Sequence, residues 1–423
     1  MIVIVMRKFK TVCVCLAVLV CVSCFSAPQS VDLDFVPGTA YPESNYPQEP
    51  MGGKTAFQYF KDEQILIGWN VGNTLDAYSN GAANETVWGN PRITQEFLDG
   101  VKAAGFDIVR IPVTWMGFIG PAPDNRIAPS ILRRVGQVAE MARKADLKVI
   151  INLHHDGSTP SKTREDGWLS VSKAAKNTGD YYRITNQFLR VWQQIAVYFK
   201  NYGEWLMFEA FNELQDGGWG WSSQSEMNPQ IAVLNEWTQF WTNVVRASGG
   251  NNETRYLVIP GYSTSARHTL ADYFILPLDS VPDKQIVTFH YYDPYEFGIL
   301  GDKKGGQADW GSDADRQKID ADFAPFKAKF IDNNIPVIIG ESGAVRQLYP
   351  GDAAKEDRAR QARLEYLSNV YAAAKNYGLV PFYWDNGVWT GSGEKFGLLS
   401  RSTGRPNSDE SAAVINAMIN AVK

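Results

Sequence analysis

The chain has 423 residues, 44% of them apolar and 21% charged, with a formal net charge of −5. That is the balance of a soluble globular protein with ample core, and a single α/β barrel often exceeds about 250 residues, so one large domain accommodates most of the length. No Lys/Arg cluster is interleaved with aromatics, which excludes the electrostatic footprint of a nucleic-acid binder.

In chain order, Arg7, Lys8 and Lys10 precede an apolar run over 11–22. The run is too short to span a bilayer and has the length of a signal-peptide core. All four cysteines, Cys13, Cys15, Cys21 and Cys24, fall within the first 24 residues, so the exported body can form no disulfide between two of its own cysteines. Val22-Ser23-Cys24 resembles the end of a bacterial lipoprotein signal, and lipidation of Cys24, with outer-membrane anchorage, is preferred over ordinary cleavage near Ser26 or Ala27. Residues 1–23 are therefore assigned to export from a bacterial cell, to the cell surface, the periplasm or the medium. Residues 24–55, rich in Pro, Ser, Tyr and Glu without periodicity, read as a tether or an extended arm. The folded domain is expected over 56–423, without an internal repeat.

Short apolar runs come next, at 65–70, 108–112, 148–153, 206–211, 256–259, 287–289, 337–339 and 381–384. Amphipathic stretches at 94–104, 130–145, 181–199, 234–247, 316–332 and 357–377 separate them, and 408–422 supplies a last helix. This alternation predicts an α/β fold, a single (β/α)8 TIM barrel with its active site at the C-terminal ends of the strands.

Polar and aromatic residues gather where these runs end. Asn70 closes the first, Arg110 the second, His154-His155 the third, Asn212-Glu213 the fourth, His290-Tyr291-Tyr292 the sixth, Glu341 the seventh and Trp384 the eighth. Any one of these has a plain structural reading, a salt-bridged loop Glu or a buried His satisfying a backbone group. Repetition at strand end after strand end outweighs it. Two Glu facing each other across a barrel mouth are the paired carboxylates that break a glycosidic bond, one protonated and one ionised, and a guanidinium such as Arg110 keeps one ionised. The competing reading uses His154, His155 and His290 as metal ligands. It is set aside, and no metal or other cofactor is expected, because the Asp and Lys that barrel metal sites add at strand ends are missing and Trp is abundant instead.

The order Arg110, His154, Asn212-Glu213, His290-x-Tyr292, Glu341, Trp384 resembles the pattern of glycoside hydrolase family 5, over essentially all of 56–423. The stretches around 68–77, 151–157 and 289–297 look most like its endoglucanase/xyloglucanase subfamily four. The resemblance implies a retaining endo-β-1,4-glycanase on a plant β-1,4-glucan backbone, with Glu213 as acid/base and Glu341 as nucleophile. It also implies Asn212 at the 2-hydroxyl, Arg110 and Tyr292 on Glu341, His290 beside Glu213, His154 and His155 along the glycone side, and Trp384 under the reacting ring. Asn70 is expected to support the site, and the enzyme to act as a monomer. Mannan or xylan hydrolysis, or a glycan-binding lipoprotein without turnover, are the alternatives. Further sugar platforms are sought among Trp88, Trp219 and Trp221, then Trp115, Trp168, Trp310 and Trp389. Leu214 stands where the family usually has proline, and the Gly217–Trp221 loop behind it reads as two large rings on a flexible backbone.

Overall fold

Side chains along each apolar run alternate between two destinations, the interior of a closed barrel and the helices around it. The computed structural model describes residues 30–31, 41–157 and 167–423; the signal segment and Cys24 lie outside them. Its strands are β1 (Gly68–Val71), β2 (Ile108–Ile111), β3 (Lys148–Ile151), β4 (Leu206–Glu209), β5 (Leu257–Ser265), β6 (Gln285–Tyr291), β7 (Val337–Ser342) and β8 (Leu379–Asp385). Each pairs in parallel with the next and β8 returns to β1, giving a closed (β/α)8 barrel.

Inward-facing Ile108, Ile150, Met207, Val258, Ile286, Ile338 and Phe382 fill the lower barrel, and Ala56, Tyr59 and Phe60 of the helix Ala56–Asp62 join them. Outward-facing Val109, Val149, Phe208, Leu257, Val287 and Ile339 pack against the surrounding helices. Gly68 belongs to this arrangement: a Cβ there would sit 2.2 Å from the Phe382 ring, so the missing side chain makes room for the phenyl group.

Element boundaries shift for identifiable reasons. β1 begins at Gly68 rather than 65, because the N–H groups of Leu66 and Ile67 donate to the Asp107 carboxylate instead of to a neighbouring strand. β5 runs on to Ser265 through a register break after Pro260. The helix expected from 234 starts at Gln224, where Ser223 and Glu226 form a capping box, and carries Pro229 early in its length.

Residues 41–55 run over the domain rather than away from it. The Tyr41 hydroxyl donates to Gln193, the Tyr46 ring stacks on Tyr202 at 4.0 Å, and Glu49 accepts from the Gly203 N–H. Beneath this arm Arg255, fully buried, donates to the Asn252 side chain and to the carbonyls of Phe199, Tyr202, Gly203 and Leu206. No helix among the described residues is long and apolar enough to cross a membrane.

Candidate active site

The same alternation that buries Ile108, Ile150 and Met207 places Arg110, Asn152 and Glu209 on the inward face two residues further on. Arg110 is wholly buried and uses all five donors. Its Nε and Nη2 grip Glu209 at 2.6 and 3.2 Å. Nη2 also reaches Asn212 Oδ1 at 2.8 Å, and Nη1 reaches Asn70 Oδ1 at 3.0 Å and Glu341 Oε1 at 2.8 Å. Only the planar fork of arginine serves so many acceptors at once. Asn70 is a clamp: its Nδ2 donates to the carbonyls of Gly340 and Tyr383, tying the floor together.

Glu341 also accepts from the Tyr292 hydroxyl at 3.0 Å, and His154 Nε2 lies 3.9 Å from it. Glu213 has one close partner, His290 Nδ1 at 2.7 Å, and the same nitrogen is 3.6 Å from Glu341. Ligand atoms of Glu213, His290 and Glu341 all lie within 4.8 Å of one another.

Burial drives the Glu213 carboxyl from its ordinary 4.5 up to about 7, against the pull of Arg110 and His155. Burial, with the neighbouring Glu213, raises Glu341 too, but the Arg110 charge and hydrogen bond oppose it. Glu341 is thus the carboxylate held by donors and Glu213 the one that keeps a proton. Burial, then Glu341, holds the Tyr292 phenol far above its ordinary value, so it stays a donor. Burial pushes His290 down to about 4 and His154 well below the usual imidazole range, so both rings are neutral.

On one side of this pair, Trp384 lies parallel to the His154 ring, 5.8 Å between centroids and 5° between planes. Gly72 runs beside it, where a Cβ would come 2.8 Å from two Trp384 ring carbons. His155 packs between Tyr78 and Trp88, centroids 5.6 and 5.5 Å away, and Tyr78 rides on an unanticipated hairpin, Tyr78–Ser79 with Ala82–Ala83. Asp76 joins His154 and His155 within 4.8 Å, which corrects the sequence argument that no Asp accompanies these histidines. Both Asp76 oxygens already accept N–H groups, from Asn73 and Thr74, and Asn152 engages His154 Nδ1. Asp76 and His154 are thus held by hydrogen bonds, while the buried His155 Nδ1 has no partner among the described residues.

Next to Glu213, Leu214 is buried against Gly157, where a Cβ would meet its Cδ2 at 2.3 Å. The loop beyond it is pinned, not flexible. Gln215 accepts from the N–H groups of Gly217 and Trp219. Asp216 accepts from Gly218, Ser222 and Gln230, and His268 Nε2 lies 2.9 Å from the Gly220 carbonyl. The loop presents Trp219, 50% exposed, and Trp221, 79% exposed, with the Arg267 guanidinium over the Trp221 ring. Trp115 and Trp310 are buried in the core and leave the set of candidate platforms. Trp168 donates to Asp156, and Trp389 carries Arg346 on its face.

A profile described as Cellulase (glycosyl hydrolase family 5) matches residues 72–389 of this barrel. The chain belongs to glycosyl hydrolase family 5. Endoglucanase A of Paenibacillus barcinonensis is 36% identical over 348 residues, 77% of this chain and 81% of that protein. A xyloglucan-specific endo-β-1,4-glucanase of Bacteroides ovatus is 33% identical over 371 residues, 84% of this chain and 69% of that protein. Among solved structures, a GH5-4 broad specificity endoglucanase from Bacteroides salanitronis superposes with a TM-score of 0.77 at 38% identity, covering 90% of this chain and 99% of that one.

This family 5 chain is a glycoside hydrolase of the endoglucanase kind. Strand-end position alone does not single out Asn152 and Glu209. The overlooked signal was a Glu inside the buried run of β4, in phase with Met207, and an Asn in phase with Ile150: buried polar residues that alternation aims at the barrel axis.

Proposed function

We propose that the protein is a retaining endo-β-1,4-glucanase that cleaves a plant β-1,4-glucan backbone by double displacement. Glu341 attacks the anomeric carbon, and Glu213 donates its proton to the leaving oxygen and then activates water. The observation that carries this reading is the unequal pair itself: oxygens of Glu213 and Glu341 within 4.8 Å, one carboxylate held by Arg110 and Tyr292, the other left a proton. Retaining enzymes set the two carboxyls about 5–5.5 Å apart, whereas inverting ones need about 6.5–9.5 Å to seat a water.

Asn212 Oδ1 accepts from Arg110 Nη2, and its Nδ2 makes no hydrogen bond among the described residues, which leaves a donor for the 2-hydroxyl of the reacting sugar. Trp384 serves as the floor under that sugar, His154, His155 and Trp88 line the glycone side, and Trp219 with Trp221 extend the cleft beyond the cleavage point. Mannan or xylan would be alternative backbones. A binder without turnover is disfavoured, because two facing carboxylates give such a protein little.

The relatives named as an endoglucanase, a broad specificity endoglucanase and a xyloglucan-specific enzyme favour glucan backbones, decorated ones included. Export and anchoring through a lipidated Cys24 would place the enzyme where such polymers are met. A reducing-sugar assay over carboxymethylcellulose, xyloglucan, lichenan, xylan and mannan tests the assignment. Release from the first three is expected, and release confined to xylan or mannan would overturn the substrate.

A further inference from the structure

Asn152 sits where the floor of the barrel meets the cleft, and one contact fixes which way its amide points. The Val113 N–H donates to Asn152 Oδ1 at 3.2 Å, so the oxygen faces β2 and the amino group faces inward. That Nδ2 lies 3.0 Å from Glu209 Oε2 and 3.3 Å from His154 Nδ1. An amide NH2 can only donate, so Glu209 and His154 Nδ1 both accept. A neutral imidazole that accepts at Nδ1 carries its single proton at Nε2. His154 Nε2 faces the cleft, 3.9 Å from Glu341 Oε1.

We propose that Glu209, acting through Asn152, is a positioning residue that fixes His154 as the Nε2–H tautomer, so that the ring offers a donor rather than a lone pair to a hydroxyl of the glycone sugar. The carboxylate that grips Arg110 with both oxygens thereby holds a second hydrogen-bond chain as well. One branch runs Glu209–Arg110–Glu341 and the other Glu209–Asn152–His154. Burial, followed by the nearby His155, Arg110 and His290, keeps the His154 ring from taking a second proton. This inference rests on the glycanase reading for what the donor meets, but the tautomer itself is independent of it.

The test is 15N NMR of the full chain labelled at histidine, with the His154 signals assigned by their loss in His154→Gln. The expected pattern is a pyridine-like Nδ1 and a pyrrole-like Nε2 in the wild type. Asn152→Asp, whose carboxylate would accept from the ring, should reverse it and lower kcat/KM on a cello-oligosaccharide by roughly tenfold, the worth of one hydrogen bond. A wild-type ring protonated at Nδ1, or at both nitrogens, overturns the inference whatever becomes of the variant. The expected tautomer in a protein that hydrolyses no β-glycan would sink the glycanase reading instead and leave the relay standing.

Discussion

Replacing Glu213 by Gln probes the feature on which the chemistry turns. Burial moves this carboxyl from 4.5 to about 7; at about 1.36 kcal/mol per pKa unit, the folded protein favours the protonated form by roughly 3 kcal/mol. The sign of the shift has two consequences. The leaving oxygen needs the proton, so kcat/KM of the wild type should fall as pH rises through about 7, and Glu213→Gln should lose that limb along with about 10²- to 10⁴-fold of activity on polymer. An activated aryl glycoside needs no acid for the first step and should still be attacked. Stability runs the same way: a carboxyl raised on folding adds stability that is fully present below pH 4.5 and lost as pH climbs to about 7. Glu213→Gln, which does not titrate, should therefore melt higher than wild type at pH 8, by up to roughly 3 kcal/mol, relative to their difference at pH 4. Rate profiles on both substrates and melting curves at the two pH values supply the readout. A basic limb that survives in Glu213→Gln, or no gain in relative stability at pH 8, would refute the assignment of the proton to Glu213.

Trp219→Ala or Trp221→Ala should raise KM on polymer several-fold more than on a short aryl glycoside, and unchanged polymer kinetics in both would make these rings structural. Arg255→Lys should cost roughly 2–5 kcal/mol, because three donors cannot serve five acceptors around a buried site; a melting temperature within a degree of wild type would contradict that. Cys24→Ala should move the protein from the membrane fraction to a soluble one, and equal partitioning of the two forms would remove the lipoprotein reading.

The barrel was legible because eight apolar runs alternate with amphipathic stretches, and because polar residues at successive strand ends need a common place to go. Strand-end reading found Arg110, Asn212, Glu213, His290, Tyr292 and Glu341, which the fold brings together. It missed Glu209 and Asn152 because a Glu or Asn inside an apolar run gives no sign, in one dimension, of the cation it faces across the barrel. Tryptophan was similarly ambiguous: Trp115 and Trp221 look alike in sequence, yet one is core and the other 79% exposed. The pinned loop at 215–222 depends on Gln230 and His268 from later elements, a tertiary contact that glycine content alone concealed.

In the proposed double displacement Glu341 attacks the anomeric carbon and water then attacks the same carbon from the opposite face, and the stereochemistry of the first product tests this without any mutation. A proton NMR time course of wild-type hydrolysis, on a cello-oligosaccharide and faster than mutarotation, should show the β-anomer first and the α-anomer only later. If the α-anomer accumulates first, the double displacement and the roles of both carboxylates are wrong.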